Sequence, residues 1–172
     1  MSITRREHLA GLAAAGLTLT IGGRVSADSH AAEGAMEHVV EMRNSDPDNP
    51  RKRQVFVPEI LQVNPGDTVK FVSADPGHNS EVDEDMMPEG GTMWEGKINE
   101  DITVTIDVEG AYGYYCTPHR TAGMVGLILV GSTLENYEAL KDVRQRGQAG
   151  RRWEEIFEQA DSIVEEARST AS

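Results

Sequence analysis

The stretch YYCTPHRTAGM, Tyr114 to Met124, holds the only cysteine of a 172-residue chain, with a histidine three positions after it and a methionine eight after it. A thiol, an imidazole and a thioether so close together can be core packing, a nucleophilic pair or part of a metal site. A lone cysteine at a strand end is commonly a small core residue. A Cys–His nucleophile needs an orienting third group and a substrate cleft, and no motif in the chain supplies them. Zinc accepts cysteine and histidine but has little use for methionine. On the stretch alone these readings stay open.

Its flanks are β-like. Gly110 turns into Tyr112–Cys116, and Val125–Val130 is a near-continuous apolar run of the kind a buried strand carries, so the quoted residues form the loop between two strands. Upstream, short β-rich runs alternate with turn signals: Val39–Met42, Gln54–Val57, Ile60–Val63, Val69 and Phe71 within 68–71, and Ile102, Val104 and Ile106 alternating with Thr103, Thr105 and Asp107. The pattern predicts an antiparallel sandwich or barrel. Pro58 marks an edge or a break, and NPGD at 64–67 is a turn, with Pro65 presetting one dihedral and Gly66 permitting a positive φ. Residues 75–101 read as a long irregular excursion. After Gly131 the period changes to helical: Leu134, Tyr137, Leu140 and Val143, then Trp153, Ile156, Ala160 and Val164, with Gly147 and Gly150 between two helices. Their apolar stripes are expected to pack on the outside of the sandwich; the competing reading is a partner-binding arm.

A metal site needs a second histidine. His30 lies near the N-terminus and His38 opens the first strand, whereas His78 follows a strand in the turn DPGHN. Two loops at one end of a sandwich would bring His78, Cys116, His119 and Met124 together. Two imidazoles, one thiolate and a weak axial thioether are the ligand set of a blue-copper centre, acceptable to both Cu(I) and Cu(II). Met86, Met87 and Met93 compete for the axial place, but only Met124 is carried by the ligand loop. Pro118 removes a backbone donor near the sulfur.

The ends and the charge set the compartment. Arg5-Arg6 precedes the apolar run Leu9–Gly23, too short for a comfortable membrane span, and Val25-Ser26-Ala27 offers small residues to a peptidase. Residues 1–27 read as a twin-arginine-like export signal, followed by a short segment at 28–36, a copper-binding domain at 37–131 and a helical extension at 132–172. The chain carries 16 basic and 29 acidic residues; without Arg5, Arg6, Arg24 and Glu7 the balance is 13 against 28, or −15. That surface repels nucleic acid. Acid excess with only four lysines fits a protein that stays dissolved in strong salt, the competing reading being an ordinary acidic protein. A chain starting at Asp28-Ser29-His30 would present an amine and a histidine at its third position, a possible square-planar Cu(II) site.

The segments VNPGDTVKFV (63–72), GHN (77–79), MPEG (87–90), KINE (97–100), GAYGYYCTPH (110–119) and GMVGLILVG (123–131), followed by two helices, resemble the pseudoazurins, exported members of the cupredoxin family. The resemblance runs from about Glu37 to the C-terminus. It implies an all-β cupredoxin Greek-key sandwich with a C-terminal two-helix extension, one type 1 copper held by His78, Cys116, His119 and Met124, and an outer shell of Asn79, Thr117 and Pro118, with Asn79 tying the two ligand loops. It implies a monomeric, soluble one-electron carrier in the periplasm or at the outer face of the cytoplasmic membrane, not an enzyme, serving nitrite reductase, cytochrome c or a similar partner. A copper carrier or store using the same ligands is the alternative. Pseudoazurins ring the copper end with lysines; here Glu81, Asp83, Glu84, Asp85 and Glu89 stand in the excursion, with Arg51-Lys52-Arg53 and Arg120 as basic candidates. Docking is therefore expected through an apolar patch of Met36, Met86, Pro88, Pro118, His119 and Ala122, with Arg120 beside it.

Overall fold

The computed structural model describes residues 34–170; the export signal and the Asp28-Ser29-His30 motif lie outside them. Eight strands form two four-stranded sheets. β1 (Glu37–Ser45), β2 (Arg53–Val57), β4 (Asp67–Val72) and β6 (Ile102–Ile106) make the first, in the order β2-β1-β4-β6. β3 (Ile60–Val63), β5 (Glu81–Val82), β7 (Gly110–Tyr115) and β8 (Val125–Val130) make the second, in the order β3-β8-β7-β5. Pro58 falls where the chain leaves the edge strand of one sheet and becomes the edge strand of the other, which suits a residue with no backbone donor.

The pairing is mixed and not purely antiparallel as the strand pattern suggested: β1 runs parallel to β4, and β3 parallel to β8. Short alternating runs report which face is buried, not the direction of the neighbour. The region 75–101 is also more ordered than its composition implied. It contains β5, antiparallel to the end of β7, and a 3₁₀ turn at Glu84–Met86 opened by Asp83, whose side chain accepts from the Asp85 amide.

Between the sheets the core is aromatic. Phe56, Phe71, Trp94 and Tyr114 contact one another ring to ring, at centroid separations of 4.7 to 6.3 Å, and Cys116 and Met124 belong to the same buried cluster. β8 is buried along its whole length. Its Ile128 and Val130 face the sandwich interior, while Val125, Leu127 and Leu129 lie under the C-terminal helices with Trp153, Ile156 and Ala160. Cover on both faces is why this strand is a continuous apolar run.

The helical tail differs from its sequence reading in two details. α1 is only Tyr137–Lys141, and α2 runs Gln148–Thr170 with Gly150 inside its first turn. Ala149, Trp153, Ile156, Ala160 and Val164 form its buried stripe. Asn136 pins the tail to the start of β7, accepting from the Ala111 amide and donating to the Ala111 carbonyl, both at 2.8 Å.

At the opposite end of the sheet from the ligand loop, buried Asp67 accepts from the Met36 and Asn64 amides and pairs with His38 at 2.9 Å. Burial opposes its ionisation, but these hydrogen bonds outweigh burial and hold its pKa below the usual 3.8. A depressed carboxylate pKa stabilises the fold above the unfolded value, and that stability is lost as pH falls through the folded value. Urea unfolding of Asp67→Asn should therefore show lower stability than the parent at neutral pH, with the difference shrinking below about pH 4; a constant difference across that range would contradict the assignment.

Candidate metal centre

β7 delivers Cys116 and β8 receives Met124, and the six residues Thr117–Ala122 between them form a 3₁₀ turn. Pro118 in its first turn has a fixed φ suited to that place. Gly123 ends the turn in the left-handed region at φ 94°, where a residue with a Cβ is strained. The loop closes on itself: the His119 amide donates to the Cys116 carbonyl (3.0 Å), the Met124 amide to the His119 carbonyl (3.1 Å) and the Cys116 amide to the Met124 carbonyl (3.0 Å). Three donor side chains thus sit on one short, internally bonded loop.

His78 comes from the other sheet, in the turn after β4, and is fully buried. Its Nε2 stands 3.1 Å from Asn44 Oδ1. That acceptor selects the tautomer with hydrogen on Nε2 and leaves the Nδ1 lone pair facing the loop. Asn44 is held in turn by Asp75, whose carboxylate accepts the Asn44 amide at 2.8 Å. Nothing in the sequence marks Asn44 beyond its place at the head of the turn-forming string Asn44-Ser45-Asp46-Pro47-Asp48-Asn49-Pro50.

Cys116 Sγ lies 3.7 Å from His78 Nδ1 and 3.5 Å from His119 Nδ1, and the three donor atoms all lie within 4.8 Å of one another. A metal centred among one sulfur and two nitrogens, with bonds of about 2.3 and 2.0 Å at trigonal angles, sets sulfur–nitrogen separations near 3.7 Å. The residues fit a trigonal ion. Met124 is fully buried in the same cluster as Cys116. Its competitors are placed elsewhere: Met93 is 53% exposed, the Met86 sulfur accepts from Gln145 Nε2 at 3.1 Å beneath the tail, and the Met87 methyl lies against Gly91, beside Tyr112.

Asn79 bridges the loop that carries His78 and the loop that carries Cys116. Its Oδ1 accepts the Thr117 amide (2.8 Å), and its Nδ2 donates to Thr117 Oγ1 and to the Gly96 carbonyl, both at 2.9 Å. Thr117 Oγ1 passes its own hydrogen to Glu81 at 2.7 Å. Burial pushes the Cys116 thiol pKa up, and burial followed by the neighbouring His119 pushes His78 down. Without a metal the thiol keeps its proton and His78 is neutral at pH 7, so binding an ion must displace the thiol proton.

Three of the expected docking residues are misplaced. Met36, 54% exposed, precedes β1 beside Asp67, about 26 Å along the strand from Asn44, which touches His78. Met86 is fully buried against Gly113, between the sandwich and the tail. Pro88 lies against Gly110, six residues along β7 from Cys116, roughly 20 Å. Chain segments rich in methionine and proline looked like a surface patch, but the strand directions carry them to the far end or into the interior. Pro118 is exposed, and His119 and Ala122 are half-buried, on the ligand loop itself. Arg120 is engaged: it pairs with Asp83, lies 3.3 Å from Gln145 Oε1 and stacks on the Tyr115 ring at 4.1 Å.

The tail also brings basic residues that sequence order hid. Arg120 and Thr121 share a cavity of about 290 Å³ with Arg144, Gln145 and Arg146, and Arg151 lines another with Ala122. Among the described residues, Arg51, Arg53, Arg144, Arg146 and Arg151 lie within ion-pair distance of no carboxylate. All five belong to segments at the ligand-loop end. Of the excursion's acids, Asp83 is neutralised by Arg120, whereas Glu81 accepts the Thr117 hydroxyl and keeps its charge.

Replacing Cys116 with serine should abolish the intense visible absorption of the copper-loaded chain and leave the far-ultraviolet circular dichroism unchanged; a variant that stays blue would exclude Cys116 as a ligand.

Residues 45–131 match the model of the copper-binding proteins of the plastocyanin/azurin family. A pseudoazurin of Methylorubrum extorquens is 35% identical over 148 residues, spanning 86% of this chain and 94% of that one. One of Paracoccus pantotrophus is 40% identical over 123 residues, 71% of this chain and 83% of the relative. The solved structure of a Sinorhizobium pseudoazurin superposes with a TM-score of 0.70 at 42% identity, covering 74% of this chain and 98% of that one. Sequence, fold and donor set agree: the chain belongs to the plastocyanin/azurin family of copper-binding proteins and, within it, to the pseudoazurins.

Proposed function

We propose that His78, Cys116, His119 and Met124 hold a single type 1 copper ion, and that the chain passes one electron at a time through His119 to an exported redox enzyme. The observation that carries this reading is the triangle of Sγ and two Nδ1 atoms at 3.5 and 3.7 Å. Copper bound there supplies a one-electron couple.

The chain's own residues do the rest. Cys116 gives up its proton to become the thiolate donor. His78, locked by Asn44 and sealed from solvent, keeps one imidazole in place whatever the charge on the metal. Asn79 holds the loops at one separation. A site fixed in this way moves little when an electron arrives, which keeps reorganisation small. His119 is the ligand on the surface side, beside exposed Pro118 and half-buried Ala122.

The partner reading follows from charge. Arg51, Arg53, Arg144, Arg146 and Arg151 stand around this end of a chain whose balance is strongly acidic. They suit an acceptor with an acidic docking face, a nitrite reductase or a respiratory cytochrome c. Export to the periplasm is supported by the paired arginines and apolar run at 5–23, and life in strong salt by the acid excess with few lysines. In such salt the screening length falls to about 3 Å, so the arginines act at contact and not as long-range steering. Among the described residues no helix is long and apolar enough to cross a membrane.

Two measurements test the reading. The copper-loaded protein should bleach with ascorbate and regain its colour on reoxidation through repeated cycles without losing metal to a chelator; release on reduction would mark a copper carrier. Arg144→Glu with Arg146→Glu should slow electron transfer to an acidic nitrite reductase by about tenfold at low ionic strength, with the deficit shrinking in 1 M salt. An unchanged rate at low salt would remove these arginines from the docking face.

A further inference from the structure

The ligand loop leans on the helical tail. A Cβ built on Gly147 would stand 2.5 Å from the Thr121 carbonyl oxygen, so the two backbones meet there with no room for a side chain. One turn on, a Cβ built on Gly123 would stand 3.4 Å from the Gln148 carbonyl oxygen and 3.6 Å from Arg152 Cβ. Gly123 immediately precedes Met124. The first two turns of α2 are therefore the wall behind the residue that sets the axial ligand's backbone.

Arg152 is itself held. Its guanidinium pairs with one carboxylate oxygen of Glu59, and Lys52 pairs with the other. Glu59 stands in the connection between β2 and β3, with its carbonyl accepting the Leu127 amide of β8 at 2.8 Å; Lys52 stands in the turn between β1 and β2. Arg152 also reaches Glu155 at 3.5 Å. Exposed ion pairs contribute little, but the side chains of Arg152 and Glu59 are each only 13% exposed. A three-membered network thus anchors to the sandwich the helix face that backs Gly123.

We propose that Arg152 is a positioning residue for the copper loop: pinned by Glu59, its stem and the first turns of α2 fix Thr121–Gly123 and thereby the placement of Met124. The loop's own hydrogen bonds, the Gly123 amide to the Arg120 carbonyl and the Met124 amide to the His119 carbonyl among them, set its local shape, while α2 is the outer support against which Thr121–Gly123 rests. Loosening that support lets the thioether wander and the site open. The inference rests on the copper-ligand reading above.

The test is copper release to a chelator from the loaded protein, with amide exchange at 121–124 measured on the metal-free chain. Arg152→Met keeps the stem and removes the charge, and it leaves Glu59 paired with Lys52, so no buried charge is stranded. It should raise the copper off-rate by about tenfold, the usual scale for a residue that orients a ligand through another group. It should also speed exchange at Gly123 and Met124 severalfold. Arg152→Lys, which can still reach Glu59, should restore most of both. Glu59→Gln should fall between the parent and Arg152→Met. If Arg152→Met lowers the unfolding midpoint while off-rate and local exchange stay at parental values, the residue is a helix anchor only and the inference is wrong. If the unaltered chain binds no copper with blue colour, it is the ligand reading that fails instead.

Discussion

The structure depends on one side chain that joins two sheets. His78 follows β4 of the first sheet, whereas Cys116, His119 and Met124 sit between β7 and β8 of the second. Apolar contact between the sheets sets a separation of about 10 Å but supplies no directional bond from one loop to the other. Asn79 supplies such bonds, at 2.8 and 2.9 Å, to the residue after the thiol. Buried and with its partners satisfied, it converts an approximate juxtaposition of loops into a donor triangle of defined size. Behind the triangle, the aromatic cluster of Phe56, Phe71, Trp94 and Tyr114 makes the floor rigid.

Much of this was legible from residue order. The spacing of Cys116, His119 and Met124 declares a loop site because three donors fit one short turn, and the signal is local. The sandwich was legible from period-two alternation at 102–106 and from the apolar run at 125–130. What stayed hidden was long-range. Parallel pairing of β1 with β4 leaves no mark on either strand. Asn44 reads as a turn former, yet strand direction carries it to His78. Met36, Met86 and Pro88 looked like surface apolar residues near the site, but their distance from it is set by which end of which strand they flank.

The tail shows the same limit from the other side. Its helical periods were clear, but a stripe of apolar residues says only that something is covered. That α2 covers β8, and that its first turns meet Thr121 and Gly123, depends on how Asn136 fixes the entry into the tail and how Arg152 meets Glu59. With that docking, arginines more than twenty residues beyond Cys116 arrive beside the ligand loop. The tail thus adds arginines to the end that carries the ligand loop, where they stand among acids such as Asp46, Asp48 and Glu81.

The central claim is that Cys116, His78 and His119 would supply one thiolate and two imidazoles to a bound copper ion. X-ray absorption at the copper edge of the loaded protein tests it most directly. The account predicts a first shell of two nitrogens near about 2.0 Å and one short sulfur near about 2.2–2.3 Å. A shell of nitrogen and oxygen scatterers with no short sulfur would contradict it.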